Sequence, residues 1–347
     1  MNFAHTKTME WILLAVFAGF SNGAFALPMK FTAGWNWENT WGAFIFWGFI
    51  VFPALLGALT VPGLTAVFRE AGAANLRTIF MFGFLWGIGS ICFGLGIRYL
   101  GIGLAFSLNI GITIAIGSLL PLFLEERITT DEKSVKMVIT GVATIVTGVL
   151  ISGYAAFLRG REQHLPVTKE ANGVKSPAGR LWVSGILLCL AAGIMSPMLQ
   201  FAFMYGGSII GAAAGKGVSQ TIASNAVWVV ALSGGFTANI FYVVRLLFNN
   251  RSWGLYRIRA AGRYHMLAML MGLFWVVTIA CYGMAVSNLG ALGLSVGWAI
   301  FNSVGIITAN LLGLFTKEWQ GVSKRTYATV GLGLTVLVLG TCLVAAS

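Results

Sequence analysis

Apolar residues run along this chain in long unbroken stretches and do not alternate with polar ones. Ten such runs, each about 20 residues long, follow one another from Met9–Pro28 to Tyr327–Ala346. Lipid offers a bare backbone no hydrogen-bond partner, so runs of this length without a two-residue period predict membrane-crossing helices. The most polar interruption spans Arg159 to Arg180 and holds Pro166, Lys169, Glu170, Lys175 and Pro177. It divides the helices five and five. The expected organisation is a first repeat over 1–158, a linker over 159–180 and a second repeat over 181–347.

The third run carries the sign of duplication. Adding 189 to its numbering takes Gly83 to Gly272, Trp86 to Trp275, Cys92 to Cys281, Gly94 to Gly283 and Leu100-Gly101 to Leu289-Gly290. An odd number of helices per copy makes the second copy enter the membrane from the opposite side. The expected fold is therefore an all-α integral membrane protein with ten transmembrane helices in two inverted five-helix repeats.

Composition agrees with this class. Of 347 residues 58% are hydrophobic and 9% charged, where a soluble domain carries about 25% charged residues. Glycine, at 45 residues, suits helices that approach closely in lipid. The net charge of +12 does not point to nucleic acid, because the basic residues sit in short loops between apolar spans. Seven Lys and Arg fall on the side of the N-terminus and fifteen on the other, which includes the linker. The positive-inside rule then puts the linker in the cytoplasm and both termini in the periplasm. Lys7, the apolar run after it and Ala24-Phe25-Ala26 mimic a signal peptide. A retained first helix is expected, since it has a counterpart in the second repeat. Cys92, Cys189, Cys281 and Cys342 lie inside apolar spans without CxxC spacing and read as packing residues.

No catalytic or metal-binding constellation is present, so neither an enzyme nor a cofactor is expected. What remains is a set of polar side chains at membrane depth, each costly unless partnered or facing a wet cavity. Ser21, Asn22, Asn109, Thr113, Ser196, Gln200, Asn225, Ser233, Asn239, Tyr282, Asn302 and Ser303 make up this set. Neutral amides and hydroxyls both donate and accept, which suits a neutral, hydroxyl-rich ligand. The competing reading of each is glue between helices. Trp86 and Trp298 add indole faces able to pack against the C–H face of a sugar ring, whereas Trp11, Trp182 and Trp319 read as headgroup anchors. The candidate substrate residues are Asn22, Trp86, Asn109, Gln200, Asn239, Tyr282, Trp298 and Asn302. All ten acids lie in loops or terminal turns; Glu38 and Lys30, facing each other across a short turn, are the coupling-ion candidates, with Glu38 the one to carry a proton. Pro28, Pro53 and Met195-Ser196-Pro197 mark breaks in the first, second and sixth helices.

Several motifs carry a resemblance over essentially the whole length. They are Pro28-Met29-Lys30 followed by Trp35-Asn36-Trp37-Glu38-Asn39-Thr40-Trp41, Trp86-Gly87-Ile88-Gly89 with Gly94-Leu95, and Arg98-Tyr99-Leu100-Gly101. Ile110-Gly111-Ile112, Gly234-Gly235 with Asn239, Arg245-Leu246 and Lys317-Glu318-Trp319 support them. The chain resembles the L-rhamnose:proton symporter family of the drug/metabolite transporter superfamily. The resemblance implies a ten-helix inner-membrane carrier that moves a deoxysugar inward by alternating access, with proton symport and no cofactor. Its repeats would rock about a cavity lined by Trp86, Asn109, Gln200, Asn239, Trp298 and Asn302. One departure stands out: where the family carries a polar Gln-Tyr-Asp-Tyr run, this chain has Leu292, Gly293, Leu294 and Ser295. The pocket is then expected to be roomier and more apolar, with coupling left to Glu38, to sodium held by amides and carbonyls, or to no ion. The alternatives are a carrier of another solute, including an exporter, and a membrane sensor that binds sugar without moving it. Lipid and a small neutral sugar are the expected partners.

Overall fold

The computed structural model describes residues 2–100, 102–124, 132–163 and 178–347. Gly101, Glu125, Glu126 and the linker residues Pro166, Lys169, Glu170, Lys175 and Pro177 lie outside the described residues. Among the described residues ten helices are long and apolar enough to cross a membrane. They are α1 Thr8–Phe31, α2 Trp37–Thr60, α3 Ala73–Ile97, α4 Leu104–Leu124, α5 Glu132–Glu162, α6 Trp182–Ala214, α7 Gln220–Asn249, α8 Ala261–Val286, α9 Gly290–Phe315 and α10 Lys324–Ala345. Among the described residues there is no strand.

Proline sets the breaks. Pro53 has no N–H to offer Phe49, and its ring crowds that carbonyl. The chain before it widens into a π-helix over Phe46–Val51, and the α-helix resumes over Phe52–Thr60. Pro28 lies in the 3-10 turn Leu27–Phe31 that closes α1 after its α-helical part ends at Ala24. α6 is cut into three pieces, Ala178–Met195, Met198–Met204 and Gly207–Ala214, the first cut falling at Ser196-Pro197.

Packing divides the chain into two compact units. One is Met1–Ile88 with Met198–Gly293, the other Gly89–Pro197 with Leu294–Ser347. Each unit therefore takes helices from both halves of the sequence, and the divisions fall inside α3, at the Pro197 break and in the first turn of α9.

In the first unit bare glycines let backbones touch. On α3 a methyl at Gly83 would overlap the Ala231 carbonyl of α7, and one at Gly87 would come 2.8 Å from the Gly235 carbonyl oxygen. α8 meets α2 in the same manner, where a methyl at Gly272 would come 2.8 Å from the Gly48 nitrogen. Gly83 and Gly272 are the positions related by the 189-residue offset. α1 packs along α8, and the Ser21 hydroxyl donates to the Phe274 carbonyl at 3.2 Å.

In the second unit the last turns of α3 pack on α6, with Gly89 against Met195 and Gly96 against Cys189. α5 and α10 interlock through glycines seven residues apart on each helix. Methyls added there would come 2.5 Å from Val344 Cγ2 at Gly141, 2.8 Å from Leu337 Cγ at Gly148, 2.5 Å from Ser152 Oγ at Gly333 and 2.7 Å from Ile145 Cγ1 at Gly340. Trp319 departs from the expected headgroup anchor: it is buried, with the Arg159 guanidinium 4.8 Å from its ring centroid. Arg159 also pairs with Glu318 at 3.1 Å, so a neutralised cation caps the indole where headgroups were expected. Trp182 is exposed, as an anchor is.

Candidate functional site

Trp86 fits on α3 because Gly235 leaves room for it; a methyl there would come 2.7 Å from Trp86 Cζ3. The indole stacks on Trp275 with centroids 5.6 Å apart and planes 12° from parallel. Phe49 packs 5.2 Å from Trp86 and 6.0 Å from Trp275, and Phe25 lies 5.3 Å from Trp275. Asn239 sits one turn beyond Gly235 on α7. Its amide donates to the Gly235 carbonyl at 3.0 Å and the Gly87 carbonyl at 3.4 Å, and its oxygen accepts the Trp41 indole N–H at 3.1 Å. Trp41 was not among the sequence candidates. The signal for it is the i, i+4 spacing of Trp37 and Trp41, which puts both on one helix face; the two rings stack at 5.3 Å.

The Pro197 break delivers Gln200, which is fully buried and accepts the Tyr282 hydroxyl at 2.6 Å. Trp275, Thr278 and Tyr282 share a face of α8, the first and last about 10 Å apart along the axis. Between these placed groups lie two that the sequence did not single out as site residues. The Trp275 indole nitrogen and the Thr278 hydroxyl are buried with no hydrogen-bond partner. Asn22 is half-buried on α1 beside Ser21. Asn22, Trp86, Gln200, Asn239 and Tyr282 thus belong to the first unit.

Asn109, Trp298 and Asn302 belong to the second. Trp298 occupies the notch left by Gly117 of α4 and donates its indole N–H to the Thr113 carbonyl at 3.0 Å. Asn302 donates to the Trp298 carbonyl at 2.9 Å. Asn109 accepts the Ser196 hydroxyl at 3.3 Å, next to the bond from Thr113 to the Gly193 carbonyl at 3.4 Å. Asn109 and the Trp298 indole join α4 to α6 and α9 in this conformation, while the Asn302 amide bonds within α9. The departure at Leu292–Ser295 is a buried helix start: a 3-10 turn over Gly290–Leu292, entered at Gly290 with φ +76°, runs into the α-helix at Gly293. Leu292, Leu294 and Ser295 are all buried, and a methyl at Gly293 would come 2.6 Å from the Val286 carbonyl oxygen.

Glu38 is buried at the start of α2. One carboxylate oxygen accepts three neutral donors, the Ser252 hydroxyl at 2.7 Å, the Asn250 amide at 2.9 Å and the Asn36 amide at 3.2 Å. Lys30 is exposed on the preceding 3-10 turn. The residues around Glu38 dock on the same segment. The Trp35 indole donates to the Leu255 carbonyl at 2.8 Å, the Asn39 amide to the Ser252 carbonyl at 3.0 Å, and the Tyr256 hydroxyl to the Asn39 carbonyl at 3.1 Å. Burial, and then the Glu38 charge, push the Tyr256 phenol up to about 12, which keeps it a donor. Among the described residues no three His, Cys, Asp or Glu side chains gather as metal ligands would.

The whole chain, residues 1–347, matches the family described as L-rhamnose-proton symport protein (RhaT). An L-rhamnose-proton symporter of Pectobacterium carotovorum subsp. carotovorum (strain PC1) is 27% identical over 339 residues, 94% of this chain and 96% of the relative. One of Klebsiella pneumoniae (strain 342) is 28% identical over 349 residues, 98% of this chain and 97% of the relative. A solved crystal structure with 12% identity aligns over 98% of this chain and 96% of its own with a TM-score of 0.51, a likeness of fold. The motifs, the ten helices and the match over the full length together make this chain a member of the L-rhamnose-proton symport protein family.

Proposed function

We propose that this protein is a secondary transporter of the bacterial inner membrane that moves a small neutral sugar, L-rhamnose or a related deoxysugar, together with a proton by alternating access. The observation that carries the reading is a set of uncharged groups in the first unit, the Trp86–Trp275 stack with Asn239 bonded to Gly87 and Gly235, and the Gln200–Tyr282 pair two turns along α8. Indole faces suit the apolar side of a pyranose, and amides and a phenol suit its hydroxyls. The names of the relatives agree with it.

The proposed architecture is two inverted five-helix repeats over 1–158 and 181–347. Its support is the reciprocity of the packing: α3 meets α7 at Gly83 as α8 meets α2 at Gly272, and α1 meets α8 as α6 meets α3. Loop charge supports periplasmic termini and a cytoplasmic linker. Glu38 is the proposed proton carrier, supported by its burial among neutral donors. Asn109, Trp298 and Asn302 of the second unit are further proposed sugar contacts, supported by their neutral donors and acceptors.

Uptake of labelled L-rhamnose into vesicles tests the reading. A pH gradient, acid outside, is expected to drive accumulation, with alkalinisation of the medium on sugar addition. Accumulation driven only by a sodium gradient would reassign the coupling ion. Binding without counterflow would make the protein a sensor, and neither binding nor flux would remove sugar from the reading.

A further inference from the structure

Two polar atoms in the first unit, the indole nitrogen of Trp275 and the hydroxyl of Thr278, have no partner and no part in the reading above. Trp275 is 7% exposed and Thr278 0% exposed, and neither the indole nitrogen nor the hydroxyl has a partner. A threonine inside a helix usually turns its hydroxyl to the carbonyl four residues back. For Thr278 that carbonyl belongs to Phe274, and the Ser21 hydroxyl of α1 already occupies it at 3.2 Å. The Trp275 ring is held by Trp86, Phe25 and Phe49, and none of these offers its N–H an acceptor. Buried polar groups left unpaired cost free energy and call for an explanation. Here they occupy successive turns of one face of α8, which continues to Tyr282 and its bond to Gln200.

We propose that the indole N–H of Trp275 and the hydroxyl of Thr278 are hydrogen-bonding groups for the hydroxyls of the transported sugar, sealed by their burial in this conformation. The inference rests on the sugar-carrier reading and adds to it two specificity-determining residues. A pyranose offers what both groups lack: Trp275 needs an acceptor, Thr278 accepts or donates, and a sugar hydroxyl is both. Because the groups are unpaired while sealed and paired when occupied, the sugar gains differential affinity for the conformation that exposes them. Differential affinity of that kind is what lets a ligand shift a conformational equilibrium.

The test uses the full-length protein with Trp275→Phe, which keeps an aromatic ring and removes the N–H, and Thr278→Val, which keeps the shape and removes the hydroxyl. Thermal stability without sugar is expected to stay equal or rise, since each change removes an unpaired buried polar group. The stabilisation by L-rhamnose is expected to shrink, and KM for counterflow to rise about tenfold in each variant. Against a panel of L-rhamnose analogues each lacking one hydroxyl, each variant is expected to lose the wild type's discrimination at one position. Wild-type sugar binding with unchanged KM and unchanged discrimination in both variants would overturn the inference alone. A loss of stability without sugar in both would also overturn it, because the groups would then hold a structural water. A wild type that neither binds nor moves L-rhamnose would overturn the sugar reading and this inference with it. Thr278→Val carries the decision if Trp275→Phe does not fold.

Discussion

Trp86 and Trp275 lie face to face, 5.6 Å between centroids and 12° from parallel, and they are also the residues that the 189-residue offset equates. Equivalent positions of two copies touch when they lie beside the axis that exchanges the copies. The stack is therefore the contact that the proposed inverted repeat calls for at such an axis.

Gly235 is the seat of that stack. Gly235→Ala places a methyl 2.7 Å from Trp86 Cζ3, and overpacking of this kind costs about 1–3 kcal/mol. A lowered thermal midpoint in detergent is expected, with partial recovery in Gly235→Ala/Trp86→Phe because the smaller ring leaves room. Equal midpoints for the single and double variants would separate the glycine from the tryptophan.

Gly83 and Gly94 lie three turns apart on one helix and differ in what surrounds them. A methyl at Gly83 overlaps the Ala231 backbone, whereas Gly94 meets nothing within 4 Å. Gly83→Ala is expected to abolish folded yield in size-exclusion chromatography. Gly94→Ala is expected to be neutral, or to stabilise by up to about 1 kcal/mol through helix propensity.

Glu38 holds three neutral donors and is also the proposed proton carrier, and two substitutions divide the two roles. Glu38→Ala strips three donors of their acceptor and is expected to cost about 2–3 kcal/mol. Glu38→Gln keeps an acceptor oxygen and loses the proton site. Its thermal midpoint is expected to stay near wild type, with sugar counterflow intact and accumulation under a pH gradient lost. Accumulation in Glu38→Gln equal to wild type would leave Glu38 a latch alone.

Tyr256 sets an alkaline limit. Its phenol is pushed from 10.0 to about 12, first by burial and then by the Glu38 charge. A group whose folded value is raised contributes stability below its unfolded value and loses it as pH climbs through the folded one. The contribution is therefore expected to be constant below pH 10.0 and to fall away toward about 12. Phenolate absorbance followed during titration should show one late tyrosine that disappears in Tyr256→Phe.

Spans and breaks were legible because length, apolarity and proline act locally. Pro53 widened its turn and Pro197 cut α6 without help from distant residues. Glycine positions foretold close packing, but not which backbone each would meet. Partner choice is where local reading ended. Trp298 read as a free indole face, yet its N–H reaches the Thr113 carbonyl at 3.0 Å. Nothing local marks Thr278, because only the fold shows the Ser21 hydroxyl on the Phe274 carbonyl. Trp319 failed as an anchor for the same reason, its fate being set by Arg159.

The glycines of α5 and α10 work as the teeth of a keyed joint. With Gly141 and Gly148 on one helix and Gly333 and Gly340 on the other, sliding by one turn would bring a side chain to places where backbone already meets backbone. Such a joint transmits force without yielding, so the two helices travel as a single lever. Whatever bends during a transport cycle bends elsewhere in the chain, and spin labels on α5 and α10 should keep one fixed separation from start to finish.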